Sequence, residues 1–252
     1  MVETMNIKCP FCNADFPVDI YTGESSLNCD ATLSRTSTFQ LNLHDLYNEI
    51  RNGYTNEVLS EGDRISFQLH DGRYASVTIA AINLYEENSV IFIFDDLLWE
   101  HSMNNRATND GGWAESGMVD YMEKEILPLL PKSLIDIITP RIIVQNINGV
   151  EYKRESKLWL PSLTEVIGEN GMAEECEFKD KQFPIFKTKK DRIKSLENGK
   201  IWHYWLRSPY VANSVFFWVV NYYGINSYYG TANNSYGVCP CFSIGSKTQD
   251  GG

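Results

Sequence analysis

The segment from Ser208 to Ser246 contains no Asp, Glu, Lys or Arg, although 22% of the residues in the chain are charged. At that rate, roughly eight or nine charges would be expected in a segment of this length. Its central part, NSVFFWVVNYYGINSYYGTANNSY at residues 213–236, is rich instead in Asn, Tyr and Ser, which supply 13 of its 24 residues. A buried strand would explain the missing charge, but its amides and hydroxyls would then all need buried partners. The composition therefore favours an exposed face.

The side chains of this segment indicate binding rather than catalysis. Tyr offers a large rigid surface and a hydroxyl group, and Asn and Ser add adaptable hydrogen bonds, which is the composition of antibody combining loops. Catalysis normally needs an ionisable group with a tuned pKa, and residues 213–236 contain no Asp, Glu, His, Lys or Cys. We therefore predict a binding protein that is not an enzyme.

The composition of the whole chain limits its partners. A hydrophobic fraction of 43% in 252 residues is enough for a folded core, and the net charge of −11 argues against binding to nucleic acid. The sequence contains no run of 18 apolar residues, so we do not expect membrane insertion. Residues 1–19 lack the pattern of a signal peptide. We expect synthesis in the cytoplasm, with free thiols as the default state of the six cysteines.

The N-terminal residues 1–60 are predicted to form a small module. It contains Cys9 and Cys12 in a Cys-x-x-Cys motif, but a tetrahedral zinc site needs four ligands, and only the unpaired Cys29 and His44 follow. Two interpretations stay open: zinc bound at the cysteine pair, or a degenerate ribbon with free thiols. Zinc is the single cofactor that the sequence suggests.

Local patterns predict an α+β fold with mostly antiparallel sheet. A helix is predicted to start at Leu43 and to stop at Gly53, with its apolar residues at helical spacing. Three strands are expected between residues 64 and 94, two helical pieces between 116 and 140, and short strands at RIIVQN (141–146) and KLWLP (157–161). TKKDRIKSLEN (188–198) is expected to be an exposed helix. We assign residues 61–247 to one domain and 248–252 to a flexible tail.

Several motifs then resemble a known family. WLRSPY at 205–210, the FWVV run, Gly224 and GVCPCFSI at 237–244 resemble a bacterial and phage domain of the C-type lectin superfamily, over roughly residues 61–246. The resemblance implies a C-type lectin-like fold in which the WLRSP segment and the last strand bracket a variable region. It also implies a scaffold role for Trp205, Leu206, Arg207, Trp218, Val238, Pro240, Phe242 and Ile244.

Within that superfamily the tail resembles the variable region of a protein diversified by a retroelement. Such systems rewrite adenines, so that Asn codons scatter over a set lacking Lys, Glu, Gln, Met and Trp, and between residues 213 and 236 only Trp218 lies outside this set. The resemblance implies recognition of a protein or cell-surface ligand, for example a phage receptor. The predicted ligand-binding residues are Asn213, Val215, Phe217, Val219, Asn221, Tyr222, Tyr223, Ile225, Asn226, Ser227, Tyr228, Tyr229, Asn233, Asn234, Ser235 and Tyr236.

Three other functions stay open from the sequence. The same superfamily contains formylglycine-generating enzymes, for which Cys239 and Cys241 would be the reactive thiols. A lectin that binds sugar without calcium is the second, because the usual calcium-ligand triplets are absent. An intracellular regulator carrying a zinc module is the third. For the binding protein, a phage virion or a non-classical route to a surface would reconcile display with the lack of a signal peptide.

Overall fold

The computed structural model describes residues 2–8, 15–21, 31–34, 43–168 and 179–245. The strands in these ranges are β1 (Val2–Lys8), β2 (Asp15–Tyr21), β3 (Ala31–Ser34), β4 (Arg64–Gln68), β5 (Tyr74–Ile82), β6 (Ser89–Phe94), β7 (Trp99–His101), β8 (Arg141–Ile147), β9 (Val150–Ser156), β10 (Tyr204–Pro209), β11 (Phe216–Val220), β12 (Asn226–Thr231), β13 (Tyr236–Val238) and β14 (Cys241–Gly245). The α-helices are α1 (Leu43–Arg51), α2 (Thr55–Val58), α3 (Gly117–Tyr121), α4 (Lys132–Ile137) and α5 (Leu163–Ile167).

Two five-stranded sheets form most of the strand structure. One has the order β14-β6-β5-β4-β3 and the other the order β12-β11-β10-β13-β7, and β1–β2 and β8–β9 are separate two-stranded pairs. All pairs are antiparallel except β10 with β13, where Tyr204 lies opposite Gly237. The predicted α+β class with mostly antiparallel sheet is therefore confirmed.

The strand patterns explain how the first sheet is buried. Along β4, buried and exposed residues alternate, so that Ile65 and Phe67 face the core, whereas every residue of β6 is buried. This follows from position, because β4 lies near the sheet edge and β6 lies between β5 and β14. Phe92 of β6 stacks on Phe242 of β14, with ring centroids 5.1 Å apart. The alternating pattern of β4 thus marks a strand with one exposed face. The continuous apolar run of β6 marks a strand that is buried on both faces.

The predicted division at residue 60 does not separate two cores. Leu43, Leu46 and Ile50 on one face of α1 belong to the same apolar cluster as both five-stranded sheets. Helix α1 packs against β14, and β3 forms the edge of the first sheet beside β4. A short amphipathic helix needs a partner for its apolar face, and the sheet supplies it. Cys9, Cys12 and the tail 248–252 lie outside the described residues.

Two predicted elements are corrected by long-range pairing. KLWLP forms only an isolated bridge between Trp159 and Cys241, which exchange two backbone hydrogen bonds of 3.0 and 2.7 Å. Residues 188–198 are not an α-helix but contain a 3₁₀ turn at Lys190–Arg192, after which Leu196 forms a bridge to the distant Leu97. Contacts distant in the sequence outweigh local helix propensity here. No helix within the described ranges has the length and apolar character required to span a bilayer.

Candidate functional site

The turn between β11 and β12 presents two tyrosines of the predicted surface. The Oδ1 atom of Asn221 accepts hydrogen bonds from the backbone N–H groups of Tyr223 (2.9 Å) and Ile225 (3.2 Å). Tyr222, Tyr223 and Ile225 are 45%, 61% and 36% exposed. Asn221 is half-buried and its side-chain oxygen is used to close the turn. The turn therefore fixes its own shape and leaves the two phenol rings outside.

Gly224 fixes where this turn lies. Its φ of +70° belongs to the left-handed region, and a Cβ at this position would overlap the carbonyl oxygen of Lys189. The turn at residues 221–225 thus packs backbone to backbone against the 3₁₀ turn at Lys190–Arg192. Only glycine allows both the conformation and this approach.

Ring contacts join the turn to two other segments. Tyr222 and Tyr223 have centroids 4.2 Å apart, and the His203 ring lies 5.2 Å from Tyr222 and 5.5 Å from Tyr236. Tyr236 in turn packs against the buried Trp205 at 4.8 Å. The rings form one continuous patch drawn from the start of β10, the β11–β12 turn and β13. We call it the aromatic surface, and it consists of Trp202, His203, Tyr222, Tyr223, Ile225 and Tyr236.

The loop between β12 and β13 extends this surface with polar groups. Ala232 anchors the loop, because its N–H donates to the carbonyl of Val215 and its carbonyl accepts from the N–H of Asn104, both at 2.9 Å. The Nδ2 of Asn234 lies 3.4 Å from the Tyr236 hydroxyl. Asn233, Asn234 and Ser235 are exposed. Three predicted polar residues therefore project from a loop fixed at its base and joined to the aromatic surface.

Asn213 and Val215 lie at the opposite end of β11. Asn109 holds their turn, since its Nδ2 donates to the carbonyls of Tyr210 (3.1 Å), Asn213 (3.1 Å) and Phe216 (2.7 Å). The five residues of β11 separate this turn from Tyr222 by roughly 17 Å. The structure therefore separates Asn213 and Val215 from Tyr222 and Tyr223, and Val215 meets the β12–β13 loop through its backbone carbonyl, which accepts the Ala232 N–H.

Phe217 and Val219, both predicted to contact ligand, lie in the core instead. They are 0% and 2% exposed, and the Phe217 ring packs edge-on against Trp205 at 6.5 Å. Strand β11 lies between β10 and β12 and is covered on both faces, so neither side chain has surface to offer to a ligand. We correct the prediction by removing these two residues from the site.

Strand β12 begins with Asn226 and Ser227, which are half-buried beside the aromatic surface. The side chains of Tyr228 and Tyr229, further along this strand, lie outside what the structure describes. Contact of these four residues with a ligand stays a prediction.

The scaffold residues that the resemblance implied are buried. Trp218 is 5% exposed and meets Tyr210 edge-on at 5.4 Å, while Val238 and Phe242 are at most 1% exposed. Arg207, the last charged residue before the charge-free segment, is also buried. These motif residues therefore lie in the core, where Trp205 packs against Tyr236 of the aromatic surface.

Arg207 is held in a buried cluster of four charges. Its Nη1 donates to the Leu160 carbonyl (2.9 Å) and to Glu165 Oε2 (2.6 Å), and its Nη2 donates to Asp180 Oδ2 (2.5 Å). Arg141 contacts the other oxygens of both acids at 2.6 and 3.2 Å. Burial alone would raise the pKa of Glu165, but Arg207 and Arg141 outweigh it and lower that pKa to about 2. Arg207 thus anchors β10 to α5, as predicted, and does not face the aromatic surface.

The two cysteines near the end of the domain are fully buried. Burial raises the pKa of Cys239 to about 11 and raises the pKa of Cys241 well above its usual range, so both thiols are protonated at neutral pH. Cys239 donates a hydrogen bond of 3.4 Å to the carbonyl of Phe94. A protonated, inaccessible thiol is a poor nucleophile. Among residues 43–168 and 179–245, no group of three or more His, Cys, Asp or Glu side chains is arranged to hold a metal.

Sequence reasoning missed three residues just before the WLRSPY motif. Trp202 and His203 are half-buried in the aromatic surface, and the Lys200 ammonium lies 3.8 Å from the centroid of the Trp202 ring. Burial lowers the pKa of His203. The run IWHYW at 201–205 was the available signal, because it has the aromatic character of the tail. Its separation from the tail by the WLRSPY motif concealed the link.

A family model described as a domain of unknown function (DUF6273) matches residues 88–246, a range that contains β6 to β14 and the whole aromatic surface. No curated protein and no solved structure matches the chain.

Proposed function

The chain belongs to the DUF6273 family of domains of unknown function, and from its own residues we propose that it is a binding protein whose aromatic surface contacts a protein or cell-surface ligand. The observation that carries the proposal is the unbroken series of ring contacts from Tyr223 through Tyr222 and His203 to Tyr236. It joins side chains from three segments into one surface without a single carboxylate among them.

The physical properties of the surface suit recognition. Tyr and Trp supply large contact areas at a small cost in side-chain entropy, and they dominate the binding energy of many protein interfaces. The turns beneath them are held by Asn221 and by the close approach of Gly224 to Lys189. A surface arranged before binding loses less entropy when a ligand is bound.

We further propose that the scaffold is C-type lectin-like and that a retroelement diversifies residues 213–236. The support is the restricted set of amino acids in that segment and the exposure of Tyr222 and Tyr223 in the β11–β12 turn and of Asn233, Asn234 and Ser235 in the β12–β13 loop. A near-identical copy of this coding segment, differing at adenines beside a reverse-transcriptase gene, is the expected genomic finding. Its absence would overturn diversification and leave a fixed binding surface. Display on a phage virion or by a non-classical route belongs to the same proposal.

Selection of a displayed library of random peptides on the immobilised full chain tests the binding surface. Enriched clones are then measured against Tyr222→Ala/Tyr223→Ala and against a control, Tyr54→Ala/Tyr74→Ala. The control removes two tyrosines of similar exposure, 49% and 73%, that lie outside the aromatic surface. We expect the first variant to weaken binding at least tenfold, in line with the contribution of about 1–2 kcal/mol from an interface tyrosine.

All four substitutions remove exposed side chains, so both variants should unfold at the same temperature as the native chain. Equal binding to all three proteins, or equal losses in both variants, would overturn the proposed surface.

A further inference from the structure

The chain places an unusual concentration of positive charge in one segment. Residues 187–194, KTKKDRIK, hold five of its 22 basic residues and a single acid, Asp191, in a chain of net charge −11. Lys194 is buried, and its ammonium donates to the backbone carbonyls of Phe94 and Asp95. It is used structurally, which leaves the other cations of the segment to be explained.

Three of these lysines are exposed and lack ion-pair partners among the described residues. Lys187 and Lys189 precede the 3₁₀ turn and Lys190 begins it, and no carboxylate of the described residues lies within ion-pair distance of these three lysines. Asp191 is engaged locally, since its Oδ2 accepts the Thr188 N–H at 2.6 Å, and this hydrogen bond lowers its pKa. The turn therefore presents three ammonium groups against one carboxylate.

The fold sets these lysines beside the aromatic surface. The Lys189 carbonyl packs against Gly224, which lies between Tyr223 and Ile225 in the β11–β12 turn. The Arg192 carbonyl accepts the hydroxyl of Tyr204 at 3.0 Å, and Tyr204 follows His203 in the chain. Two independent contacts thus fix the basic segment at the edge of a surface that has no charges of its own in residues 208–246.

We propose that the aromatic surface and the lysines Lys187, Lys189 and Lys190 form one binding site for an acidic protein segment. This inference rests on the proposed binding function and specifies the chemistry of the partner. Tyrosine rings with neighbouring Asn and Ser side chains match a polypeptide, whose backbone amides and carbonyls they can hydrogen-bond. Lysines at the edge add attraction for carboxylates and accelerate association.

The negative charge of the whole chain does not cancel this attraction. Charges are screened beyond about 8 Å at physiological ionic strength, so distant acids act weakly on a ligand at the β11–β12 turn, and the exposed Glu100 lies beside Tyr236, opposite Gly237. Because the net charge of the chain is −11, non-specific electrostatic attraction would not draw an acidic peptide to this protein. Binding of acidic peptides would therefore have to come from the local lysines.

The experiment uses the same displayed random-peptide library on three forms of the full chain, in about 0.15 M NaCl. The forms are the native chain, Lys189→Glu/Lys190→Glu, and the control Lys132→Glu/Lys153→Glu. The control makes the same change in net charge at exposed lysines of α4 and β9, away from the aromatic surface. Heparin, as an anionic polysaccharide, is measured against all three forms in parallel.

We expect peptides enriched on the native chain to be rich in Asp and Glu. Their affinity should fall about tenfold on Lys189→Glu/Lys190→Glu, remain unchanged on the control, and lose this difference at about 1 M NaCl. Neutral or basic peptides, an equal loss on the control, or binding to heparin without enrichment of acidic peptides would each overturn the inference.

Failure of the inference and failure of the proposed function give different results. Peptides that depend on Tyr222 and Tyr223 but show no acidic preference would overturn the role of the lysines and leave the binding surface standing. Acidic peptides whose affinity is unchanged in Tyr222→Ala/Tyr223→Ala would overturn both, because the lysines would then bind them without the aromatic surface.

Discussion

Replacing Glu165 with Gln removes one negative charge from the buried cluster of Arg141, Glu165, Asp180 and Arg207 while nearly preserving its shape. The Glu165 and Arg207 side chains are 0% and 1% exposed. Removing one partner of a buried ion pair costs about 3–5 kcal/mol, because the remaining charge stays buried without compensation. The lowered pKa of Glu165 agrees in direction, because Arg207 and Arg141 stabilise its charged form in the folded chain.

Urea denaturation near neutral pH, followed by the fluorescence of the buried Trp159 and Trp205, measures this loss. A domain of ordinary stability, about 5–15 kcal/mol, should remain folded after the substitution. The matched control is Asp120→Asn, which removes a carboxylate from the exposed pair with Lys124 and should leave stability unchanged.

The same cluster predicts a dependence on pH. The pKa of Glu165 is lower in the folded chain than in the unfolded chain, so its stabilisation is present above about pH 4.5 and is lost as the pH falls towards 2. Burial raises the pKa of Asp180, so that residue protonates earlier on acidification. The stability difference between the native chain and Glu165→Gln should shrink across this window, and the substitution also removes the Glu165 charge that contributes to the raised pKa of Asp180. A loss below about 1 kcal/mol near neutral pH, or parallel pH profiles, would refute the reasoning.

Two further predictions concern the support of the surface. Gly224→Ala should cost about 3 kcal/mol or more in urea denaturation, because φ is positive and the new Cβ would overlap the Lys189 carbonyl. Gly199→Ala, with φ of +80° and open space around it, should cost only about 1 kcal/mol, and equal losses would contradict the steric argument. Burial and the raised pKa of Cys239 and Cys241 predict no alkylation of either thiol by iodoacetamide in the folded chain and full alkylation in urea, as read by mass spectrometry of their peptide. Labelling of either under native conditions would reopen thiol chemistry.

Local patterns in the sequence were sufficient for the elements that depend on short-range periodicity. Helix α1 begins at the predicted Leu43, and the three strands expected between residues 64 and 94 are β4, β5 and β6. In α1 the apolar residues recur at helical spacing, and in the strands they alternate or form a continuous run. These patterns can be read from residues that are close together in the sequence. The helix expected at 188–198 was wrong because Ser195 and Leu196 bond instead to Leu97 and Lys200.

The position of a side chain relative to the sheets could not be predicted in the same way. In the charge-free segment, Phe217 and Tyr223 look equally suited to bind a ligand, yet one is buried and the other is 61% exposed. The difference arises because β11 lies inside the second sheet, between β10 and β12, and the turn after it does not. Sheet order is set by pairing between distant segments, which composition does not encode.

The sequence by itself determined the chemistry of the segment at residues 208–246, which is charge-free and rich in Tyr and Asn. The tertiary structure alone decided which side chains form the aromatic surface, by joining His203 to Tyr222 and Tyr236. It also placed Lys189 against Gly224, which gives the surface a cationic edge. Composition is carried by each residue separately, whereas adjacency depends on how the whole chain buries its apolar groups.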